Sequence, residues 1–252
     1  MGKVISVFIR KGGSGKTTTA INLASGLAKQ GKKVLLVDLD TQANATVVLK
    51  AIDDNKNIGK VLSDEMTAKE AIRNVGEFDI LPATTDLVNN EQELTIKVNP
   101  NSFYKVKSVL EPIKSLYDYI IIDTAPSQSI LVYNAILATD GAIIPVEIQT
   151  LATKGLSQTL ELVDSVQPQN PTLELIGILP TKVQARTNLA VVLTNDLKSR
   201  YKDKVLPISV PFTVKVPEGQ LAGKSVLDYD PTCDASKAYE ALAQHVINYY
   251  ER

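Results

Sequence analysis

The segment Arg10-Lys11-Gly12-Gly13-Ser14-Gly15-Lys16-Thr17-Thr18 limits what this chain can fold into more than any other stretch. It follows a strand-like apolar run over residues 4–9 and leads into an apolar-periodic helix over 16–30. A strand that stops in a glycine-rich turn and restarts as a helix is the local unit of phosphate binding. Gly12, Gly13 and Gly15 permit backbone conformations that side chains block, so successive N–H groups can converge on phosphate oxygens. Lys16 has the reach for β- and γ-phosphates, and the Thr17 hydroxyl suits Mg²⁺, with Ser14 and Thr18 completing the loop. The positive end of the helix dipole also favours an anion here. The common spacing G-x-x-x-x-G-K-[ST] is not met, because Arg10 stands at its first glycine. The variant K-G-G-x-G-K-[ST] is met instead, and its additional lysine is Lys11.

Beyond the loop, short β-branched runs alternate with helical patterns. Strands are expected over 4–9, 33–38, 78–81, 119–123, 142–146, 173–179 and 205–208. Helices are expected over 16–30, 102–115, 153–166, 189–201 and 235–250. Continuous apolar strands suit burial on both faces, and strand–helix alternation implies an α/β fold with a mostly parallel twisted sheet flanked by helices on both faces. Ligands of such sheets bind at the carboxyl ends of strands. Polar stretches over 53–57 and 167–171, and the pair Asn99-Pro100, mark surface turns.

A length of 252 residues fits one domain over 1–252. Cys233 is the only cysteine, so no disulfide or cysteine-held cluster forms within one chain, which fits a reducing cytoplasm. The N-terminal apolar run is too short for a signal peptide, and no stretch is long enough to span a membrane. Net charge is −1, but it is uneven: residues 182–224 hold eight basic and three acidic side chains, leaving −6 for the remainder. This skew either places a positive field on one face or lines a solvated helix with lysine.

Two expected strands end in carboxylates where a phosphate-bound magnesium ion needs oxygen partners. One closes in Asp38-Leu39-Asp40-Thr41-Gln42, with Asp38 and Asp40 pointing to one side if the strand persists. The other closes in Asp123-Thr124-Ala125-Pro126-Ser127, a Walker B arrangement.

The phosphate loop, the run Asp38 to Thr46 and the run Asp123 to Ser127 together resemble the ParA/Soj family of DNA-partitioning ATPases. The resemblance is to the short form, without an N-terminal helix-turn-helix, and to the deviant Walker A branch of P-loop NTPases that includes MinD. It extends through Ala185-Arg186-Thr187-Asn188-Leu189, Val210-Pro211 and Tyr229-Asp230-Pro231, and so covers essentially the whole chain. It implies ATP and Mg²⁺ as cofactors and an ATP-sandwich homodimer, with Lys11 reaching the partner subunit's nucleotide. It further implies catalytic roles for Lys11, Lys16, Asp40 and Asp123, with Thr17, Asp40 and Asp123 serving the metal. Pro211 and Thr213 would line the adenine pocket, and Arg186 and Lys215 would bind DNA without sequence preference, with Lys224 beside them as a further basic candidate. A centromere-binding, ParB-like partner would stimulate hydrolysis, and the location would be the cytoplasm, on the nucleoid, away from membranes. Thr41, Ala43, Phe212 and Thr213 depart from the family's usual proline, glycine and Arg-Asn pair.

Two other functions fit the same loop. A MinD-like positioning ATPase at a membrane requires a basic amphipathic C-terminal helix, and residues 241–252 carry no lysine. A metabolic P-loop ligase or kinase is compatible with the motifs, but an iron–sulfur reductase lacks its thiolates. His245, the single histidine, is given no role.

Overall fold

The computed structural model describes residues 2–148, 153–184 and 187–251, without the side chains of 153 and 154. Its seven strands are β1 (Lys3–Val7), β2 (Val34–Leu39), β3 (Arg73–Asn74), β4 (Asp79–Leu81), β5 (Tyr119–Thr124), β6 (Gly141–Glu147) and β7 (Glu174–Thr181). They form one sheet in the order β3-β4-β2-β5-β1-β6-β7, parallel throughout except for β3 against β4. The helices of the first half are α1 (Lys16–Lys29), α2 (Asn44–Val48), α3 (Ile58–Leu62), α4 (Ala68–Ala71), α5 (Leu87–Ile96) and α6 (Lys105–Leu110). Those that follow are α7 (Ile130–Ala138), α8 (Thr153–Val166), α9 (Asn188–Tyr201), α10 (Lys215–Ala222), α11 (Val226–Tyr229) and α12 (Asp234–Tyr250).

The sheet is apolar on both faces, as the expected α/β class requires. On one side Ile5, Leu36, Ile121 and Ile143 pack beneath α1 and α12, joined by Leu23, Leu27, Tyr239 and Leu242. On the other, Leu35, Val37, Ile120 and Ile122 pack beneath α6 and α7, joined by Val106, Leu110 and Leu131. Successive residues of β5 therefore serve opposite cores, the period-two consequence of the pleat. Fully burying each such aliphatic side chain contributes about 1.5–3 kcal/mol.

The helix expected over 102–115 is broken into a 3-10 turn (Pro100–Phe103), α6 and a second 3-10 turn (Glu111–Leu116). Pro112 is the cause, since it lacks the N–H that a continuing helix would use. The strand expected over 205–208 reduces to one bridge between Ile178 and Val205, because Pro207 cannot donate to a ladder. Helix α7 gives no amphipathic signal in the sequence because nearly all of it is buried.

Candidate active site

Parallel pairing brings the critical strand ends level. Val7 of β1 and Asp38 of β2 both pair with Asp123 of β5, so the phosphate loop and two carboxylates emerge at one edge. The loop turns through Gly13 at φ +74° and Gly15 at φ +92°, the left-handed region that penalises side chains. Gly12 differs from the expectation, since it takes no such conformation and a Cβ there would meet nothing within 4 Å. Its smallness leaves the outer face of the loop open. Arg10 likewise needs no positive φ, and its N–H donates to Thr159 Oγ1 at 3.2 Å. Glycine is therefore dispensable at that position.

Within the loop, Lys16 Nζ donates to the Lys11 carbonyl at 3.1 Å, and Ser14 Oγ donates to the same oxygen at 3.2 Å. Lys16 is only 6% exposed, and burial pushes its ammonium pKa down while Asp123 and Asp40 oppose the shift. Thr18 Oγ1 accepts from Gln220 Nε2 of α10 at 3.0 Å, which ties the loop helix to the far wall of the pocket.

The three aspartates divide their work. Asp38 is fully buried; its Oδ2 accepts from Thr46 N and Oγ1 at 2.8 and 2.7 Å, and its Oδ1 from Asp40 N at 3.2 Å. Thr46 Oγ1 in turn accepts from Ala83 N at 2.9 Å, beyond β4. Asp38 thus anchors the turn that carries Asp40, and burial pushes its carboxyl up to about 6. Asp40 lies one residue past β2 and lines the pocket, with Oδ1 accepting from Gln42 N at 2.9 Å. Strand β2 ends at Leu39, so the condition on which Asp38 and Asp40 would project to one side is not met.

Asp123 is fully buried, and neither of its carboxylate oxygens has a hydrogen-bond partner within 3.5 Å among the described residues. Burial, with Asp38 directly opposite on β2, holds its pKa well above the usual carboxylate range, while the nearby Thr17 hydroxyl pulls the other way. Two orphaned buried oxygens beside Thr17 suit a site built for a cation or a water held by one. No cluster of three or more His, Cys, Asp or Glu side chains forms a metal cage among the described residues.

The pocket over this edge encloses about 500 Å³. Its lining includes Gly12, Gly13, Gly15, Lys16, Thr17 and Thr18, together with Pro211, Phe212, Thr213 and Gln220. Pro211 is held by a parallel bridge to Val183, and Phe212, 57% exposed, stands at the rim. Thr213 Oγ1 accepts from Lys215 N at 3.2 Å and so starts α10. Lys215 leaves the pocket side to pair with Glu218 at 3.0 Å, and Lys224 lies exposed after α10. Arg186 falls outside the described residues.

Residues 2–175 match the family model described as an AAA domain. The sporulation initiation inhibitor protein Soj of Bacillus subtilis is 39% identical over 251 residues, covering 98% of both chains. The chain belongs to the ParA/Soj family of P-loop ATPases. The chromosome-partitioning ATPase Soj of Thermus thermophilus is 36% identical, across 96% of this chain and 94% of that one. Cobyrinic acid a,c-diamide synthase from Mycobacterium smegmatis, solved with an ATP analog and magnesium, superposes at TM-score 0.86 with 30% identity, covering 100% and 96% of the two chains. The cell division ATPase MinD of Pyrococcus furiosus superposes at 0.82 with 25% identity, covering 99% and 100%.

Within the ParA/Soj frame, one departure acquires a physical meaning. Ala43 sits at φ +50° as the residue before α2, a left-handed position that glycine adopts without the Cβ penalty of about 1–2 kcal/mol. Sequence reasoning gave Thr46, Lys182 and Gln220 no contact of their own. The Thr-Ala pairing of Thr46 with Ala83 and the reach of Gln220 to Thr18 cross 37 and 202 positions, so no local signal announces them.

Proposed function

We propose that this chain is a partitioning ATPase that binds MgATP in the 500 Å³ pocket, dimerises around it and holds DNA without sequence preference until hydrolysis releases it. The observation that carries the reading is that Gly12, Gly13, Gly15, Lys16, Thr17 and Asp40 line one pocket, with the unpartnered Asp123 at the end of the neighbouring strand β5. Gly12 to Gly15 and Lys16 would cradle the phosphates, and Pro211 and Thr213 would flank the base. Thr17 would hold magnesium directly, with Asp40 and Asp123 engaging its water shell. Bound there, Mg²⁺ would neutralise β- and γ-phosphate charge.

The work of the protein side chains follows from their placement. Asp40, fixed by Asp38 and Gln42 N, would orient the attacking water toward the γ-phosphorus. Lys16 would follow charge onto the departing β-phosphate oxygens. Lys11, extended across the interface, would contact the partner subunit's nucleotide and tie dimerisation to the γ-phosphate. Arg186, Lys215 and Lys224 would contact DNA phosphates, and a centromere-binding partner would accelerate turnover on the nucleoid.

The membrane alternative fares less well. The apolar face of α12, including Tyr239, Leu242, Val246 and Ile247, is already buried in the main core, and no helix among the described residues is long and apolar enough to cross a membrane. A ligase would form ADP only with its own small substrate and would ignore DNA.

Filter retention of DNA with ATP, with ADP and without nucleotide tests the proposal. ATP alone should support retention at low salt, and log affinity should fall with log salt by about 0.9 per phosphate contact. Lys11→Ala should bind ATP yet lose both the dimer and DNA retention. Nucleotide binding without ATP-dependent retention would overturn the partitioning role and leave the ATP site standing.

A further inference from the structure

The end of β7 grips the phosphate loop from across the pocket. Thr181 Oγ1 donates to the Ser14 carbonyl at 2.9 Å, and Lys182 Nζ donates to the Gly13 carbonyl at 2.7 Å. Two consecutive residues thus pin two consecutive loop carbonyls, from sequence distances of 167 and 169. The Lys182 ammonium also lies 3.5 Å from the Glu147 carboxylate at the end of β6. Lys182 adopts φ +51°, a left-handed conformation that disfavours a long side chain and marks a position held by its surroundings. It lines the same pocket as Lys16 and Asp40.

Peptide geometry gives these clamps a consequence. No peptide bond among the described residues is cis, and in a trans peptide the carbonyl and the following N–H point in opposite directions. Fixing the Gly13 carbonyl therefore fixes the Ser14 N–H, and fixing the Ser14 carbonyl fixes the Gly15 N–H. These are amides of the kind a phosphate loop turns toward its anion.

We propose that Lys182 is a positioning residue that sets the direction of the loop amides before the nucleotide arrives, with Glu147 holding its ammonium in place. The inference rests on the ATP-binding reading above. A loop already shaped does not have to be ordered by its ligand, so the gain appears in affinity. Backbone strain at residue 182 is the structural cost of bringing the lysine back over the loop.

The test is MgATP and MgADP affinity, with steady-state turnover, for wild type, Lys182→Met, Lys182→Arg and Glu147→Gln. Lys182→Met should weaken both nucleotides by about tenfold, the worth of one charge-assisted hydrogen bond, and raise KM far more than it lowers kcat. Lys182→Arg, which keeps a donor, should recover affinity to within about threefold, a rescue that simple disruption of the fold would not give. Glu147→Gln, which leaves the lysine but loosens it, should fall between them. Wild-type affinity and KM in Lys182→Met would overturn the positioning role. So would an arginine variant no better than the methionine one; if Lys182→Met fails to fold, the arginine and Glu147→Gln comparisons decide alone. A wild-type protein that binds neither nucleotide would instead overturn the ATP-binding reading.

Discussion

Asp123→Asn is expected to stabilise the nucleotide-free protein while reducing ATP turnover by about 100-fold or more. The carboxyl is fully buried, faces Asp38 across the ladder and has no hydrogen-bond partner among the described residues. Burial and the facing Asp38 make an ionised acid costly here, by about 1–3 kcal/mol or more, and the uncharged amide of asparagine removes that electrostatic cost although it keeps a polar group buried. For a chain of this size, at about 2–4 °C per kcal/mol, that corresponds to a rise in Tm of about 2–12 °C, readable by calorimetry without nucleotide. The pH dependence has a defined sign. Because burial raises the pKa of Asp123, the folded protein holds this proton where the unfolded chain has released it. Stability therefore falls as pH climbs from the ordinary carboxyl range, near about 4, through the native pKa. Asp38, raised to about 6, adds the same sign between about 4 and 6. The asparagine variant should flatten the Asp123 part of that slope and gain most at neutral pH. An unchanged Tm and an unchanged slope would show that Asp123 is not an unpaired buried acid.

Lys16→Ala is expected to act in the opposite sense on stability and to abolish nucleotide binding. Its ammonium is buried, donates to the Lys11 carbonyl and is the positive charge that Asp123 and Asp40 face inside the site. Truncation breaks the bond to the Lys11 carbonyl and empties the volume of a buried side chain, so Tm should drop by several degrees, since about 1 kcal/mol moves it about 2–4 °C. Loss of two charge-assisted contacts to phosphate should weaken MgATP by at least about 100-fold. Wild type at a ligand concentration about 100 times Kd gains about 2.7 kcal/mol, so ATP should raise its Tm plainly and leave the alanine variant unmoved. A preserved ATP-induced shift in Lys16→Ala would remove this lysine from the phosphate site.

The two substitutions together separate what Asp123 and Lys16 do for the fold from what they do for the nucleotide. One is a buried acid that the fold holds at a cost. The other is the cation that partly offsets it. Their opposite effects on Tm, with a shared loss of turnover, are what a site assembled for a polyanion and a divalent ion requires.

Legibility in the sequence followed the range of the interactions. The phosphate loop could be identified because its requirements are local: Gly13 and Gly15 need left-handed backbone, and strand, turn and helix follow in order. Asp123 could be identified for the same reason, as the polar end of an apolar strand. Asp38 looked like a second site residue, yet it serves as an anchor, because its partners Thr46 and Asp40 N close on it only after the chain turns beyond β2. Helix α7 escaped detection because an all-apolar helix carries no period, and the strand over 205–208 did not form because Pro207 interrupts its ladder.

The sequence by itself determined the α/β alternation, the identity of the phosphate loop and the presence of carboxylates at strand ends, since each is written in contiguous residues whose backbone needs are their own. Only the tertiary structure decided which groups meet across the pocket. The strand order β3-β4-β2-β5-β1-β6-β7 sets Asp38 against Asp123 and carries Thr181 and Lys182 to the carbonyls of Ser14 and Gly13. Those meetings depend on lateral order and register within the sheet, which arise from packing both faces at once and leave no mark on the spacing of residues along the chain.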